Sequence, residues 1–110
     1  MVKKFLIYIF IFSFFTSESQ LFINEYSAAN YDSYQDNYGE YEDWIELYNS
    51  SATPIDLNGY YLTDKTNNPT KWQFPSSFIV PANGVALVFC SGRDELNGGF
   101  AHTNFKITQT

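Results

Sequence analysis

The sequence predicts an all-β domain, an immunoglobulin-like antiparallel β-sandwich preceded by a cleavable leader. Three observations carry that reading. Beyond residue 19, no stretch keeps apolar residues at helical spacing for eleven or more positions. Seven or so short runs rich in β-branched and aromatic residues are instead separated by turn residues at close spacing. Pro54, Pro69, Pro75 and Pro81 all fall at run borders, where a missing backbone donor costs least. A partly open barrel is the other architecture compatible with this pattern.

The elements follow in order. Leu21 to Tyr26 reads as a strand with Leu21 and Ile23 on one face and Phe22 on the other. Tyr31 to Glu42 (YDSYQDNYGEYE) is biased toward tyrosine and acid and reads as a long loop. Trp44 to Asn49 is a second strand, with Ile45 and Leu47 alternating against Trp44, Glu46 and Tyr48. After a polar turn, Ile55-Asp56 opens a short extended piece. Asn58-Gly59 marks a tight turn, because both residues tolerate positive φ. Tyr60 to Thr63 is a strand, Asp64 to Thr70 a loop, and Trp72 to Phe74 a brief strand ended by Pro75. Phe78 to Val80 follows, then a turn at Asn83-Gly84. Val85 to Cys90 is apolar on both faces and is expected in the middle of a sheet. Ser91 to Gly99 reads as a polar loop, and His102 to Thr108 as the start of a last strand.

Residues 1–19 differ in kind from the rest. Lys3 and Lys4 precede an apolar run from Phe5 to Phe15 that only Ser13 interrupts. As a helix, that run spans about 16 Å, well short of a bilayer core of about 30 Å. It is expected to be a signal-peptide core, with cleavage between Ser19 and Gln20 set by the small residues Ser17 and Ser19. The domain is then residues 20–110, secreted or displayed at the cell surface, with no stable membrane span after cleavage. This mature chain holds four basic and eleven acidic side chains, a net charge of −7.

Those counts exclude several function classes. Lys65, Lys71, Arg93 and Lys106 are the only cations and are dispersed, so a nucleic acid partner is not expected. The single cysteine, Cys90, can build neither a disulfide framework nor a four-cysteine metal site. It reads as a small buried hydrophobe ending an apolar strand. His102 is the only imidazole, with no glycine-flanked serine or reactive-cysteine context beside it, so a structural hydrogen-bonding role is expected and no enzyme.

Ile23-Asn24-Glu25, then DWIELYN at Asp43 to Asn49, then Ile55-Asp56-Leu57 with Gly59-Tyr60-Tyr61-Leu62 and Asp64 form an ordered set of motifs. It continues through Asn68 to Trp72, Phe74-Pro75, Pro81 to Gly84, Val85 to Phe89, Ser91 to Asp94 and His102 to Lys106. The set resembles the lamin-tail domain family in its bacterial secreted type, over nearly all of the mature chain. The resemblance implies an immunoglobulin-like sandwich without catalysis, set beside other extracellular domains such as nuclease, phosphoesterase or adhesion parts. It also implies about two further strands after Phe105-Lys106, so the chain is expected to be a fragment whose fold continues past Thr110. The DNA association of eukaryotic lamin tails is not expected in a secreted acidic relative.

Candidate binding residues fall into two groups. Asp32, Asp36, Glu40, Glu42 and Asp43 place five carboxylates in twelve residues, a composition that suits weak calcium binding outside the cell but not EF-hand spacing. Calcium is the only cofactor this pattern suggests, and a solvated acidic loop is the competing reading. Tyr34, Tyr38, Tyr41, Trp44 and Trp72 are candidates for stacking on a glycan or anchoring an extracellular protein, with core packing as the alternative for each. Glu25 and Glu46, inside strands, are expected to share a cationic partner such as Lys71 or Arg93. The function expected is an interaction or attachment module. Alternatives are a carbohydrate- or calcium-binding accessory module, or the leading segment of an extracellular hydrolase.

Overall fold

The computed structural model describes residues 10–12, 20–28 and 33–107, and among these it is all-β. The strands are β1 (Phe10–Phe12), β2 (Leu21–Ser27), β3 (Asp43–Asn49), β4 (Ile55–Asp56) and β5 (Tyr61–Thr63). They continue as β6 (Trp72–Gln73), β7 (Ile79–Val80), β8 (Val85–Cys90), β9 (Glu95–Asn97) and β10 (Phe100–His102). They form a five-stranded sheet in the order β2-β3-β8-β10-β9, a three-stranded sheet β1-β5-β6 and a two-stranded ribbon β4-β7. The leader's cleavage point lies outside the described residues, as do Asp32 and the expected strand's end at Thr108.

Alternation decides which face of the large sheet turns inward. Ile45 and Leu47 of β3, Val88 and Cys90 of β8 and Ala101 of β10 share one core with Leu57, Leu62, Trp72, Phe74, Phe78 and Val80 from the opposite layer. A bulge at Asn24 shifts β2 between Ile23 and Glu25. The turn at Asn58-Gly59 has its glycine at φ 85°, a conformation that favours glycine because no Cβ obstructs it.

Three expectations change. Ser91 to Gly99 is not wholly loop, because Glu95–Asn97 pairs with β10 as an edge strand, a place where polar composition is no obstacle. The last strand runs over Phe100–His102, and residues 103–107 follow outside any ladder. That tail is nevertheless fixed: Thr103, Phe105 and Ile107 are buried, and Ile107 N–H donates to Asp43 Oδ2 at 3.1 Å. The large sheet also has one parallel pair, β8 with β10. The chain leaves β8, forms the outer edge as β9 and returns through a hairpin to fill the gap between them. Val85–Cys90 therefore has neighbours on both sides, as its apolar composition predicts.

Candidate functional site

Five residues form one row across the outer face of the large sheet. Ser27 lies opposite Trp44, Trp44 opposite Phe89, Phe89 opposite His102 and His102 opposite Glu95. The Trp44, Phe89 and His102 rings in the middle of this row, on the face turned away from the core, need cover. Residues 33–42 supply it, folding back over the sheet as a flap.

The flap is shaped by Asp36, which is 6% exposed. Its Oδ1 accepts hydrogen bonds from Tyr38 N at 2.8 Å and Glu40 N at 2.9 Å, while Asp36 N–H donates to Glu40 O at 2.9 Å. This is an Asx turn, in which the carboxylate replaces backbone partners that a short loop cannot reach. Its Oδ2 is buried without a hydrogen-bond partner. The turn directs three side chains onto the sheet. Tyr34 packs edge-on against Trp44, ring centroids 5.0 Å apart. Tyr38 lies 5.8 Å from the His102 ring, carries the Arg93 guanidinium 3.8 Å from its own ring centroid and donates its hydroxyl proton to Glu95. Asn37 reaches His102 directly.

His102 is fully buried, and both ring nitrogens are used. Asn37 Oδ1 is an acceptor 2.7 Å from Nε2, so Nε2 carries the proton and donates it. Nδ1, 2.8 Å away, then accepts from the Ser91 hydroxyl, whose oxygen also accepts from Arg93 N–H at 3.2 Å. Burial holds the imidazole below its ordinary pKa, against the raising fields of Asp36 and Glu95. Serine, histidine and asparagine stand in the line that a nucleophile, base and orienting group would take. Here Ser91 is only 9% exposed and the ring is enclosed, so the line ties the flap to the β8–β9 turn.

Among the described residues, the acidic side chains do not converge. Asp36 closes its own turn, Glu40 is exposed, and Glu42 lies 3.9 Å from Lys106 Nζ. Asp43 holds Ile107, with its carboxyl pKa raised by burial and partly lowered by that backbone donor. Among the described residues, no three histidine, cysteine, aspartate or glutamate side chains gather closely enough to hold a metal ion. Glu25 and Glu46 lie opposite each other, but Glu46 accepts from Asn24 Nδ2 at 2.7 Å instead of from Lys71 or Arg93. Lys71 pairs with buried Asp64 at 2.7 Å, and Arg93 covers Tyr38.

The aromatic candidates divide. Trp44 and Trp72 are each 3% exposed and offer no ring face to a ligand. Trp72 packs in the core with Phe74, and its Nε1–H donates to Asp94 Oδ1 at 2.8 Å. Tyr34, Tyr38 and Tyr41 are exposed. Beside Tyr34 lies an open cleft of about 320 Å³ bounded by Gln35, Leu87, Phe89, Phe100 and Ile79. Phe100 and Ile79 were not singled out by the sequence. Their signal was available only in hindsight of topology, as large apolar residues on strand faces opposite Ala101 and Val80.

A protein-family model described as Lamin Tail Domain matches residues 15–110. No curated protein and no solved structure matches the chain.

Proposed function

The chain belongs to the lamin tail domain family, and from that premise we propose a non-catalytic, immunoglobulin-like β-sandwich module that works outside the cell by binding. Its place is within a larger extracellular protein, which it attaches to an external partner. The observation that carries this reading is the cleft at the flap's edge, where Tyr34, Phe100 and Ile79 keep 41%, 39% and 49% of their surface exposed around one concave apolar site. Exposed aromatic and branched residues around a concavity are suited to receive an apolar anchor from another protein. The export leader read in residues 1–19 supports the extracellular setting, and the chain's acidity keeps it from polyanions.

The aromatic rim beside the Gln35 amide also suits a sugar ring, which keeps a glycan ligand as the second reading. One experiment separates them. The full chain is expressed with its leader in a secreting host, its mature N-terminus is sequenced, and the exported product is applied to a glycan array. A mature end at Gln20, within about two residues, and no glycan binding is the expected result. Glycan binding abolished by Tyr34→Ala or Phe100→Ala selects the second reading. An unprocessed chain retained inside the cell overturns both.

A further inference from the structure

The outer face of the large sheet continues past the row that the flap covers. Phe22 lies opposite Tyr48, and Tyr48 opposite Val85, so a second row crosses β2, β3 and β8 at the end where β2 begins. Phe22 and Val85 keep 46% and 48% of their surface exposed. Between the two rows, Glu25 lies opposite Glu46 and Glu46 opposite Leu87. Leu21, Ile23 and Tyr26 pack against the core, so alternation and the bulge at Asn24 place Phe22 and Glu25 on the outer side. An exposed apolar strip thus borders two carboxylates on one surface.

Like charges directly opposite each other across a ladder repel. Among the described residues nothing relieves this pair: Glu46 accepts from the Asn24 amide at 2.7 Å, and neither carboxylate forms an ion pair. The cations are engaged elsewhere, Lys71 with Asp64, Lys106 with Glu42 and Arg93 with the Tyr38 ring, while Lys65 follows β5 in the opposite layer. Two unrelieved charges beside apolar side chains weaken the free domain and become favourable when a partner supplies the cation. A second copy of the chain does not supply it, because the same face turned on itself brings four carboxylates together. Strands added to the sandwich do not fill the face either, since strands pair along sheet edges and leave the faces open.

We propose that this face, Phe22, Tyr48 and Val85 beside the Glu25–Glu46 pair, is a docking surface for a partner polypeptide that presents an arginine flanked by apolar side chains. A planar guanidinium, with its donors in a fixed fork, bridges two neighbouring carboxylates better than the point charge of a lysine. Phe22 and Val85 receive the apolar flanks, and the carboxylates turn away acidic partners. The surface goes beyond the flap cleft, with which it shares Leu87. It is built wholly from β2, β3 and β8, so it depends neither on leader removal nor on that cleft.

The test uses the isotope-labelled full chain and a synthetic β-hairpin peptide carrying Leu, Arg and Val on one face. A control hairpin has citrulline for arginine, which keeps the shape and loses the charge. Amide shifts on titration are expected at residues 22–25, 46–48 and 85–87. The arginine hairpin should bind at least about fivefold more tightly than the control, an advantage that shrinks in about 0.5 M salt. Glu25→Gln combined with Glu46→Gln should abolish the advantage, and Tyr34→Ala, which alters the cleft, should leave it intact. Equal binding of the two hairpins, no binding, or shifts centred on residues 34, 79 and 100 overturns the proposal.

Stability of the free chain gives a second readout. Glu46→Gln keeps the acceptor oxygen that Asn24 uses, so a purely structural role for Glu46 predicts no gain. Removal of one unrelieved charge is expected instead to raise the urea midpoint by about 0.2 M or more. An equal or lower midpoint means that the pair is compensated within the chain and overturns the proposal. Failure here leaves the flap cleft and its glycan test standing, and failure of the cleft leaves the hairpin result untouched.

Discussion

Asn37 Oδ1 lies 2.7 Å from His102 Nε2, joining residues 65 positions apart and fastening an exposed flap to a buried ring. The bond holds the flap directly to His102, and losing it leaves a buried donor unpaired. Asn37→Ala is therefore expected to lower stability by about 1–2 kcal/mol, chiefly the cost of the orphaned imidazole N–H. Urea denaturation measures the loss. Amide exchange should quicken at residues 36–40 while the β3–β8 ladder keeps its protection. An unchanged midpoint would mean that the contacts of Tyr34 with Trp44 and of Tyr38 with His102, Glu95 and Arg93 hold the flap without this bond.

The same ring sets a pH dependence. Burial lowers the pKa of His102 in the folded state below its ordinary value of 6.5. The unfolded chain then binds a proton more readily, so stability rises with pH across this range. The contribution is complete above pH 6.5 and is lost as pH falls from there toward the lower folded value. His102→Gln removes a titrating group and should flatten the slope of stability between pH 5 and about 7, although it lowers stability throughout. A slope that survives in the variant assigns the dependence to other groups.

Much of the frame is legible in the residues. Val85 to Cys90 declares a central strand because both of its faces are apolar: Val88 and Cys90 lie in the core, while on the outer face Phe89 is buried and Val85 stays exposed. The alternation in DWIELYN puts Ile45 and Leu47 inside correctly. The flap itself was not legible. YDSYQDNYGEYE is polar enough to be solvated, and the reason it folds down lies elsewhere, in a Trp44–Phe89–His102 row that only strand register assembles. Glu95–Asn97 was missed for a related reason, since an edge strand needs hydrogen-bonding partners and no apolar pattern. The two tryptophans looked like surface candidates because a strand pattern cannot tell an open outer face from one that a loop covers.

Cys90 shows how far the core excludes solvent. It is fully buried, and burial pushes its thiol pKa well above the ordinary range. The native protein is expected to react with iodoacetamide at pH 8 only as fast as it opens, and addition of 6 M urea should accelerate alkylation by about a hundredfold or more, as the thiol becomes accessible. Cys90→Ala is expected to cost about 1 kcal/mol through the small cavity it leaves. Rapid native alkylation would place the thiol at the surface.

Asp94 combines a strained backbone with a useful side chain. Its φ is 56°, in the left-handed region, and its Oδ1 accepts the Trp72 indole proton while its N–H donates to Thr103 O at 3.0 Å. Left-handed geometry costs most residues about 1–2 kcal/mol, and aspartate and asparagine tolerate it best because their short polar side chains bond locally. Three substitutions separate the two effects. Asp94→Asn keeps an acceptor oxygen and a tolerated conformation, so its stability should stay within about 0.5 kcal/mol of the parent. Asp94→Gly relieves the backbone but orphans the Trp72 N–H, at a cost of about 1 kcal/mol. Asp94→Ala loses the acceptor and keeps the strain, and should cost about 2–3 kcal/mol. The order Asn, Gly, Ala in falling denaturation midpoint is the prediction. If alanine proved no worse than glycine, the backbone at 94 would carry no strain, and the indole bond alone would explain the choice of aspartate.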